Sequence, residues 1–271
     1  MSHTKRVESS AFQLTVLGTR GSAAVSRADC MYFGGNTSCY MVQAGDETIF
    51  LDAGSGLLLA PTAFRKTPVI LISHYHLDHI QGLGMYSRLA QKGLETVLYL
   101  PACDAEQGKT LIDGIFSPPY WPLSLSEYAG TLSIRPFPDK LTIGEVVVDT
   151  LHGNHPGDSL VIKLQYRDRT LVYATDYEAC EPDFTNLVEF VYGADLVLFD
   201  GQYTEEEYQS KIGFGHSSYV AGMELVIRGQ VKRMLIVHHD PQSTDRELRR
   251  REELIQDHRI HFAREGETVS I

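Results

Sequence analysis

Short apolar runs recur along the whole chain, and turn-forming residues separate them. The runs are rich in valine, isoleucine, leucine and tyrosine, which is typical of β-strands. Several are apolar throughout, as expected for strands that other layers cover on both faces. The pattern predicts strands at residues 12–18, 38–45, 47–54, 68–74, 95–100, 141–151, 159–166, 170–176, 194–200 and 233–239.

Four segments between these runs have the length and the boundary residues of helices. The last of them begins after Thr244 and carries Glu247 three residues later, which is a capping-box pattern. In the third, Ser217 or Ser218 can cap the first turn. We therefore expect helices at residues 79–92, 183–193, 217–229 and 244–258.

The order of these elements predicts the architecture. Strands dominate and helices come late in each half, which favours two β-sheets with helices packed outside them. The expected fold class is α/β (α+β), with four αββα layers in one domain over residues 1–271. The segment 117–128 interrupts the pattern with three prolines and three aromatic residues, and we expect a loop insertion there.

Composition and charge narrow the classes of function. With 35 acidic and 24 basic residues the formal net charge is −11, which argues against a long nucleic acid because its binding rests on lysine and arginine. No run approaches the ~18 apolar residues of a membrane span. The polar start, residues 1–10, lacks the apolar centre of a signal peptide, so we expect a cytoplasmic protein without a membrane partner.

The histidines change this picture. At the end of the predicted strand 68–74, the chain places His74, His76, Asp78 and His79 in an H-x-H-x-D-H array. Alternate residues of an extended turn point the same way, so His74 and His76 can bind one ion. Asp78 and His79 lie beyond the turn and can face a second ion. Burying three imidazoles and a carboxylate beside an apolar strand end is costly unless they coordinate something.

With these residues the chain resembles the metallo-β-lactamase-fold hydrolases, and among them the dinuclear phosphodiesterase branch. This branch includes transfer-RNA 3′-processing endonucleases and the cyclic phosphodiesterases of phosphonate metabolism. The H-x-H-x-D-H array is its signature. The other segments that carry the resemblance follow in the order of the family: VLGTRGS (16–22), GGNTSCY (34–40), LDAGSGL (51–57), NHPGDSLVIKL (154–164), VYATDYE (172–178), GFGHSS (213–218) and RMLIVHHDP (233–241).

The resemblance implies a set of metal ligands. His155 matches the third ligand of the first metal, and Asp176 matches the carboxylate that bridges both metals. The last ligand of the second metal is His238 or His239, whose side chains leave a strand in opposite directions, and the position of His238 is favoured. The implied cofactor is a pair of divalent ions, with Zn²⁺ favoured over Mn²⁺ or Fe. The full ligand set is His74, His76, Asp78, His79, His155, Asp176 and His238.

The resemblance also implies roles around the metals. His216 in GFGHSS matches a histidine near the leaving group, and two preceding glycines let the backbone approach the site. Asp52 is expected to orient a ligand histidine through its other ring nitrogen, whereas His152 is expected to be structural. Asn36 and Thr37 either position backbone groups of the site or form only a turn.

The expected reaction is hydrolysis of a small phosphodiester, such as a cyclic nucleotide or cyclic sugar phosphate, by a metal-bound hydroxide. Asp78 then accepts a proton as well as binding metal. His216 stabilises the phosphoryl oxygens or protonates the leaving oxygen. The alternative is a hydrolase of a lactam, lactone or thioester on the same fold, and a third hypothesis is a non-catalytic sensing module. His216 favours the phosphodiesterase.

Two further points stay open at this level. The aromatic segment 117–128 suits stacking on the base of a small nucleotide, and it equally suits packing on the core or on a second subunit. A homodimer is therefore allowed for, although the sequence does not require one.

Overall fold

The computed structural model describes residues 11–271, so the polar start of the chain, predicted not to be a signal peptide, lies outside the described residues. In chain order the strands are β1 (Phe12–Gly18), β2 (Cys39–Ala44), β3 (Glu47–Leu51), β4 (Val69–Leu71), β5 (Glu95–Leu100), β6 (Thr131–Pro136), β7 (Leu141–Ile143), β8 (Val146–Gly153), β9 (Ser159–Tyr166), β10 (Arg169–Ala174), β11 (Leu196–Asp200), β12 (Met234–Val237), β13 (Ile260–Phe262) and β14 (Thr268–Ser270). The α-helices are α1 (Leu77–Ile80), α2 (Ala105–Asp113), α3 (Asp183–Val191), α4 (Glu205–Gln209), α5 (Tyr219–Arg228) and α6 (Asp245–Leu254).

The strands form two sheets of seven. Their order is β14-β1-β2-β3-β4-β5-β6 in the first sheet and β13-β12-β11-β10-β9-β8-β7 in the second. Strands β3 to β6 run parallel to one another, and so do β10 to β13. Because the carboxyl ends of parallel strands meet at one edge of a sheet, the loops that follow them are neighbours. This edge of each sheet is where the candidate site lies.

Successive side chains of a strand point to opposite faces of its sheet, so each strand contributes to two apolar layers. Along β10, Leu171 and Tyr173 belong to the core between the sheets, whereas Val172 and Ala174 face the helices outside the second sheet. That outer layer includes buried residues of α3, α5 and α6, and a third apolar cluster joins α1 and α2 to the outer face of the first sheet. The predicted fold class and its αββα layers are confirmed.

Most predicted elements are present with shifted ends. The predicted strands 12–18, 95–100 and 159–166 coincide with β1, β5 and β9. The Ser218 side chain caps α5, and Thr244 caps α6 in the predicted capping box. Local sequence therefore determined where these elements begin.

The predicted helix 79–92 is wrong for most of its length. Helix α1 ends at Ile80, a 3₁₀ helix covers Gln81–Met85, and turns follow. Close backbone packing explains the difference, because a Cβ at Gly82 would lie 2.2 Å from the Gly54 carbonyl oxygen. This segment is shaped by its contact with the loop after β3 rather than by helix propensity.

Other differences come from short or turn-containing segments. The predicted strand 141–151 is the hairpin of β7 and β8, because Gly144 turns the chain with a left-handed φ of 58°. Strands β6, β13 and β14 and helices α2 and α4 were not predicted. Two of these strands have only three residues, which is too short for an alternation pattern.

The segment 117–128 contains a 3₁₀ helix, Leu125–Glu127, and packs on the first sheet's outer cluster. The Trp121 ring meets Phe116 edge-on at 5.7 Å, and its Nε1 donates to the Tyr128 hydroxyl at 2.9 Å. The core-packing alternative therefore holds for Trp121.

The described residues contain no helix that is long and apolar enough to cross a membrane. Their four cysteines are all free thiols. Cys30 and Cys39 are buried, whereas Cys103 and Cys180 are exposed.

Arg20 is fully buried and ties three loops together. Its Nε donates to the Gly34 carbonyl at 2.8 Å, and its Nη1 donates to the carbonyls of Asp240 and Ser243 at 3.0 and 2.8 Å. Burial lowers the pKa of this guanidinium. The loops that contain Gly34 and Asp240 lie next to the edge of the sheets where the candidate site lies. The hydrogen bonds of Arg20 therefore hold these loops in place at that edge.

We expect Arg20→Met to lower the free energy of unfolding by about 2–4 kcal/mol, because it leaves carbonyls in the interior without their donor. Urea denaturation followed by circular dichroism measures the change. Arg27→Met, at an exposed arginine of the same segment, is the control and should leave the midpoint unchanged. Equal midpoints for the Arg20 variant and the wild type would contradict this account.

Candidate metal centre

The H-x-H-x-D-H array follows β4 and runs into α1. His76 has extended backbone angles, with φ −63° and ψ 147°, and the helix begins at the next residue. This change from extended chain to helix divides the array into two pairs. His74 is buried and His76 is exposed, whereas Asp78 and His79 are both buried within α1.

The pairs meet side chains from other strand ends in two groups, which share one aspartate. In each group the candidate ligand atoms all lie within 4.8 Å of one another. The first group is His74, His76, His155 and Asp176, and the second group is Asp78, His79, Asp176 and His238. The structure thus brings together all seven residues of the predicted ligand set.

Asp176 lies between the two groups and offers one carboxylate oxygen to each. Its Oδ2 lies 3.4 Å from His74 Nε2 and 3.6 Å from His155 Nε2. Its Oδ1 lies 3.1 Å from both His79 Nε2 and His238 Nε2. Its φ of 49° is left-handed, a strained conformation for a residue other than glycine that clusters at functional sites.

The structure separates the two adjacent histidines after β12. His238 has a left-handed φ of 60°, and its Nε2 lies 3.2 Å from Asp78 Oδ2. His239 packs against two phenylalanine rings instead, and its Nε2 donates to the Ala263 carbonyl at 2.9 Å. Burial lowers the pKa of His239 to about 3. His238 belongs to the second group, whereas His239 is a neutral core residue.

Each buried histidine of the two groups has a partner for the ring nitrogen that faces away from the group. Such contacts select the tautomer and orient the ring. The pairs are His74 Nδ1 with Ser73 Oγ (3.0 Å), His79 Nδ1 with Asp52 Oδ2 (2.6 Å), His155 Nδ1 with the Gly215 carbonyl oxygen (2.8 Å) and His238 Nδ1 with Gln202 Oε1 (3.1 Å). Asp52 therefore makes the contact that the sequence predicts.

The buried charges shift one another's pKa. Burial opposes the charged form of Asp176, but His238, His79 and His74 outweigh it and hold the pKa of this carboxyl well below its ordinary value. Burial likewise opposes charge on His238, but Asp176 and Asp78 raise its pKa to about 9. The two carboxylates thus favour positive charge between them, which divalent ions would supply in place of protons.

The residues present fit a pair of divalent ions. His74 Nε2 and His79 Nε2 are buried and make no hydrogen bond of good geometry to any residue in the described part of the chain, although carboxylate oxygens are near. Buried polar atoms without partners are rare and call for an explanation such as an ion. Imidazole nitrogens and carboxylate oxygens suit Zn²⁺, Mn²⁺ and Fe.

His216 lies beside both groups, in the loop before α5. Its ring stacks on His238 with 4.7 Å between centroids and meets the His155 ring edge-on at 5.1 Å. Its Nδ1 lies 2.7 Å from Asp200 Oδ2. Asp200 is fully buried at the end of β11. Because Nδ1 faces Asp200, Nε2 is the ring nitrogen of His216 that this pair does not use.

Sequence reasoning missed Asp200, Gln202 and Glu178, which all contact the site or its loops. A signal existed for Asp200, because an acidic residue ends the predicted strand 194–200, as Asp176 ends an earlier strand. Gln202 and Glu178 carry no such signal, since a polar residue in a loop is ordinary.

The remaining predicted residues lie outside the two groups. His152 is exposed and pairs with Asp158 at 2.9 Å, in agreement with a structural role. Asn36 donates from Nδ2 to Glu265 at 2.9 Å, and Thr37 Oγ1 accepts from the Ser55 backbone N–H at 2.8 Å. These contacts support the turn interpretation of GGNT.

We expect Asp52→Asn to weaken metal binding by about 10–100-fold, because it removes the charge that orients His79. Asp52 also accepts from Ser73 and from the Tyr173 hydroxyl, and the isosteric change keeps the shape of the side chain among them. Competition against a chromophoric chelator measures the affinity.

The matched control is Asp195→Asn, a buried aspartate near the start of β11 that pairs with Arg169 and Lys232. It should leave metal affinity unchanged. An Asp52→Asn protein with wild-type affinity would show that Asp52 only packs.

Known proteins share this architecture. Residues 47–239 match the family model of the beta-lactamase superfamily domain. The ribonuclease Z of Archaeoglobus fulgidus is 24% identical, with 84% of this chain and 87% of the relative covered. The probable metallo-hydrolase YhfI of Bacillus subtilis is 23% identical, with 85% of this chain and 91% of the relative covered.

Solved structures show the same fold. The crystal structure of YhfI from Bacillus subtilis gives a TM-score of 0.74 at 20% identity, covering 96% of this chain and 100% of that one. A diphosphatase from the PhnP family gives 0.69 at 17% identity, covering 96% and 98%. The family model matches well over half of this chain, and the fold agrees with it. The chain therefore belongs to the beta-lactamase superfamily and is a hydrolase of the metallo-β-lactamase fold.

Proposed function

We propose that the protein is a dinuclear metal-dependent phosphodiesterase that cleaves a small phosphodiester, such as a cyclic nucleotide or a cyclic sugar phosphate. The observation that carries this proposal is the position of Asp176, which offers one oxygen to each of the two groups. The adjacent pair of His216 and Asp200 adds a proton donor beside both groups.

Two ions, with Zn²⁺ favoured, would be held by the first and the second group. When bound, such ions offset phosphoryl charge and lower the pKa of water, which is the chemistry of two-metal hydrolases. Asp176 would be shared between them, since both of its oxygens face ligand nitrogens.

Asp78 accepts the proton of the attacking water in this proposal. Its Oδ2 accepts from the Ser22 backbone N–H at 2.7 Å and lies 3.1 Å from His79 Nε2 and 3.2 Å from His238 Nε2. The carboxylate is thus held in one orientation beside the reacting groups.

His216 protonates the leaving oxygen from Nε2, or stabilises the phosphoryl oxygens through the same atom. Asp200 accepts from Nδ1, so it stabilises the charged imidazolium and fixes the ring. A phosphodiester with an alkoxide leaving group needs this proton.

The relatives support cleavage at phosphorus, since two are named ribonuclease Z and diphosphatase. The net charge of −11 favours a small substrate over a long RNA. The test therefore includes an RNA substrate, because turnover of RNA alone would contradict a small substrate.

A substrate panel with Zn²⁺- or Mn²⁺-loaded protein tests the proposal. It compares bis-p-nitrophenyl phosphate, 2′,3′- and 3′,5′-cyclic nucleotides, a transfer-RNA precursor, a lactone and nitrocefin. We expect turnover of the small phosphodiesters and none of the lactone or nitrocefin. Turnover of the lactone alone would overturn the phosphodiesterase, and turnover of the RNA alone would overturn the small substrate.

Two variants control the panel. His76→Ala removes a residue of the first group and should abolish turnover, as should chelation. His152→Ala removes an exposed histidine outside the groups and should leave turnover unchanged. Activity that survives both His76→Ala and chelation would exclude a metallohydrolase.

A further inference from the structure

Glu178 is a buried carboxylate, 5% exposed, in the turn that follows β10. Its Oε1 accepts from the Gly213 backbone N–H at 2.7 Å and from the Tyr208 hydroxyl at 3.0 Å. Its Oε2 accepts from the Gly215 backbone N–H at 2.9 Å. One carboxylate thus binds three donors of a single segment, residues 208–215.

The backbone of this segment can adopt many conformations because it contains two glycines, so it needs contacts that fix one of them. Gly213 and Gly215 have left-handed φ values of 85° and 86°, which glycine adopts as readily as others. A Cβ at Gly215 would lie 2.1 Å from His155 Nδ1, so the segment passes directly against the first group. The carboxylate selects one of the conformations that the glycines allow.

The peptide groups around Gly215 connect Glu178 to two residues of the site. The Gly215 carbonyl accepts from His155 Nδ1 at 2.8 Å, and the next residue along the chain is His216. The backbone of Glu178 also contacts Asn154, the residue before His155. Its N–H donates to the Asn154 carbonyl at 2.9 Å, and Asn154 Nδ2 donates to the Glu178 carbonyl at 3.1 Å.

We propose that Glu178 is a positioning residue: it holds the backbone at Gly213 and Gly215, so that His216 stands beside the two groups. The inference rests on the proposed function of His216 in hydrolysis. Bonds from backbone N–H groups to a carboxylate are roughly twice as strong as bonds between neutral groups, so an acid suits this position better than an amide.

Hydrogen exchange followed by mass spectrometry tests the anchor without any substrate. Glu178→Met removes both acceptor oxygens and keeps the side-chain length. We expect the peptide that contains the Gly213 and Gly215 amides to exchange at least about tenfold faster, while the sheet peptides stay unchanged. Glu178→Gln keeps one acceptor oxygen, gives an intermediate rate, and serves where the methionine variant does not fold.

The matched control is Glu181→Met, an exposed glutamate three residues away that pairs with Arg228. It removes the same chemical group from the same segment of chain. It should leave both the exchange of the 213–215 peptide and the turnover number at wild-type values.

A double-mutant cycle with His216→Ala tests positioning at saturating metal. With a cyclic nucleotide as substrate, Glu178→Met should lower kcat by about 10–100-fold with little change in KM, and Glu178→Gln should recover part of the loss. In the His216→Ala background, the same substitution should lower kcat by less than about threefold, because the group that it positions is already absent.

Unchanged exchange in both Glu178 variants, or fully additive losses in the cycle, would overturn the inference. Failure of the proposed function looks different, because the wild type would then hydrolyse no phosphodiester. The exchange measurement needs no substrate and still decides whether Glu178 anchors the loop.

Discussion

Asp176→Asn is expected to reduce phosphodiester turnover by at least about 10³-fold and to lower the number of tightly bound divalent ions. The amide keeps the shape of the side chain but removes the charge that both groups share. Charge stabilisation at such a site is worth several kcal/mol, and each 1.36 kcal/mol corresponds to tenfold in rate.

Two measurements check this result: elemental analysis of metal content after dialysis, and steady-state hydrolysis of bis-p-nitrophenyl phosphate. Asp195→Asn makes the same change at a buried carboxylate remote from the groups and should leave both values unchanged. An Asp176→Asn protein that keeps two ions and a tenth or more of the activity would contradict a bridging role.

His216→Ala is expected to lower turnover of a cyclic nucleotide by about 10²–10³-fold, which lies within the usual range for the loss of a general acid. The loss should be under about tenfold for bis-p-nitrophenyl phosphate, because p-nitrophenolate leaves without a proton. Bound metal should stay at the wild-type level, since His216 belongs to neither of the two groups and its Nδ1 faces Asp200.

Comparison of the two substrates separates the roles of His216. Equal large losses would assign it to the phosphoryl oxygens rather than to the leaving oxygen. Losses below about threefold on both substrates would remove it from the mechanism altogether. His152→Ala, an exposed histidine, is the control for a general effect of losing an imidazole.

Some of the site was predictable because its chemistry is local in the chain. His74, His76, Asp78 and His79 lie within six residues, and their spacing alone separates them into two pairs. The structure divides them in the same way, at the change from extended chain to helix beside His76. Neighbours this close in sequence remain close in space in any fold.

The distant parts of the site were predictable only by resemblance, or were missed. His155 and Asp176 come from separate strand ends, and single residues in such positions carry no spacing pattern. Gln202 and Glu178 were missed for the same reason, and Asp200 was missed although it ends a predicted strand. Each of the three is hydrogen-bonded to residues that are remote in the chain.

Contacts between residues that are distant in the chain also explain the errors in the predicted secondary structure. The predicted helix 79–92 has suitable composition, but Gly82 packs against the backbone of Gly54, and only a 3₁₀ turn fits there. Helix propensity amounts to a few tenths of a kcal/mol per residue, so such packing overrides it.

By itself the sequence determined the αββα layers and the H-x-H-x-D-H array, because these follow from periodicity and short spacing. The resemblance already favoured His238 over His239 and implied a shared Asp176, but only the tertiary structure shows that His238 enters the second group and that Asp176 offers an oxygen to each group. Both outcomes depend on left-handed backbone angles at strand ends. Such angles are imposed by packing between segments that are distant in the chain, which no local pattern records.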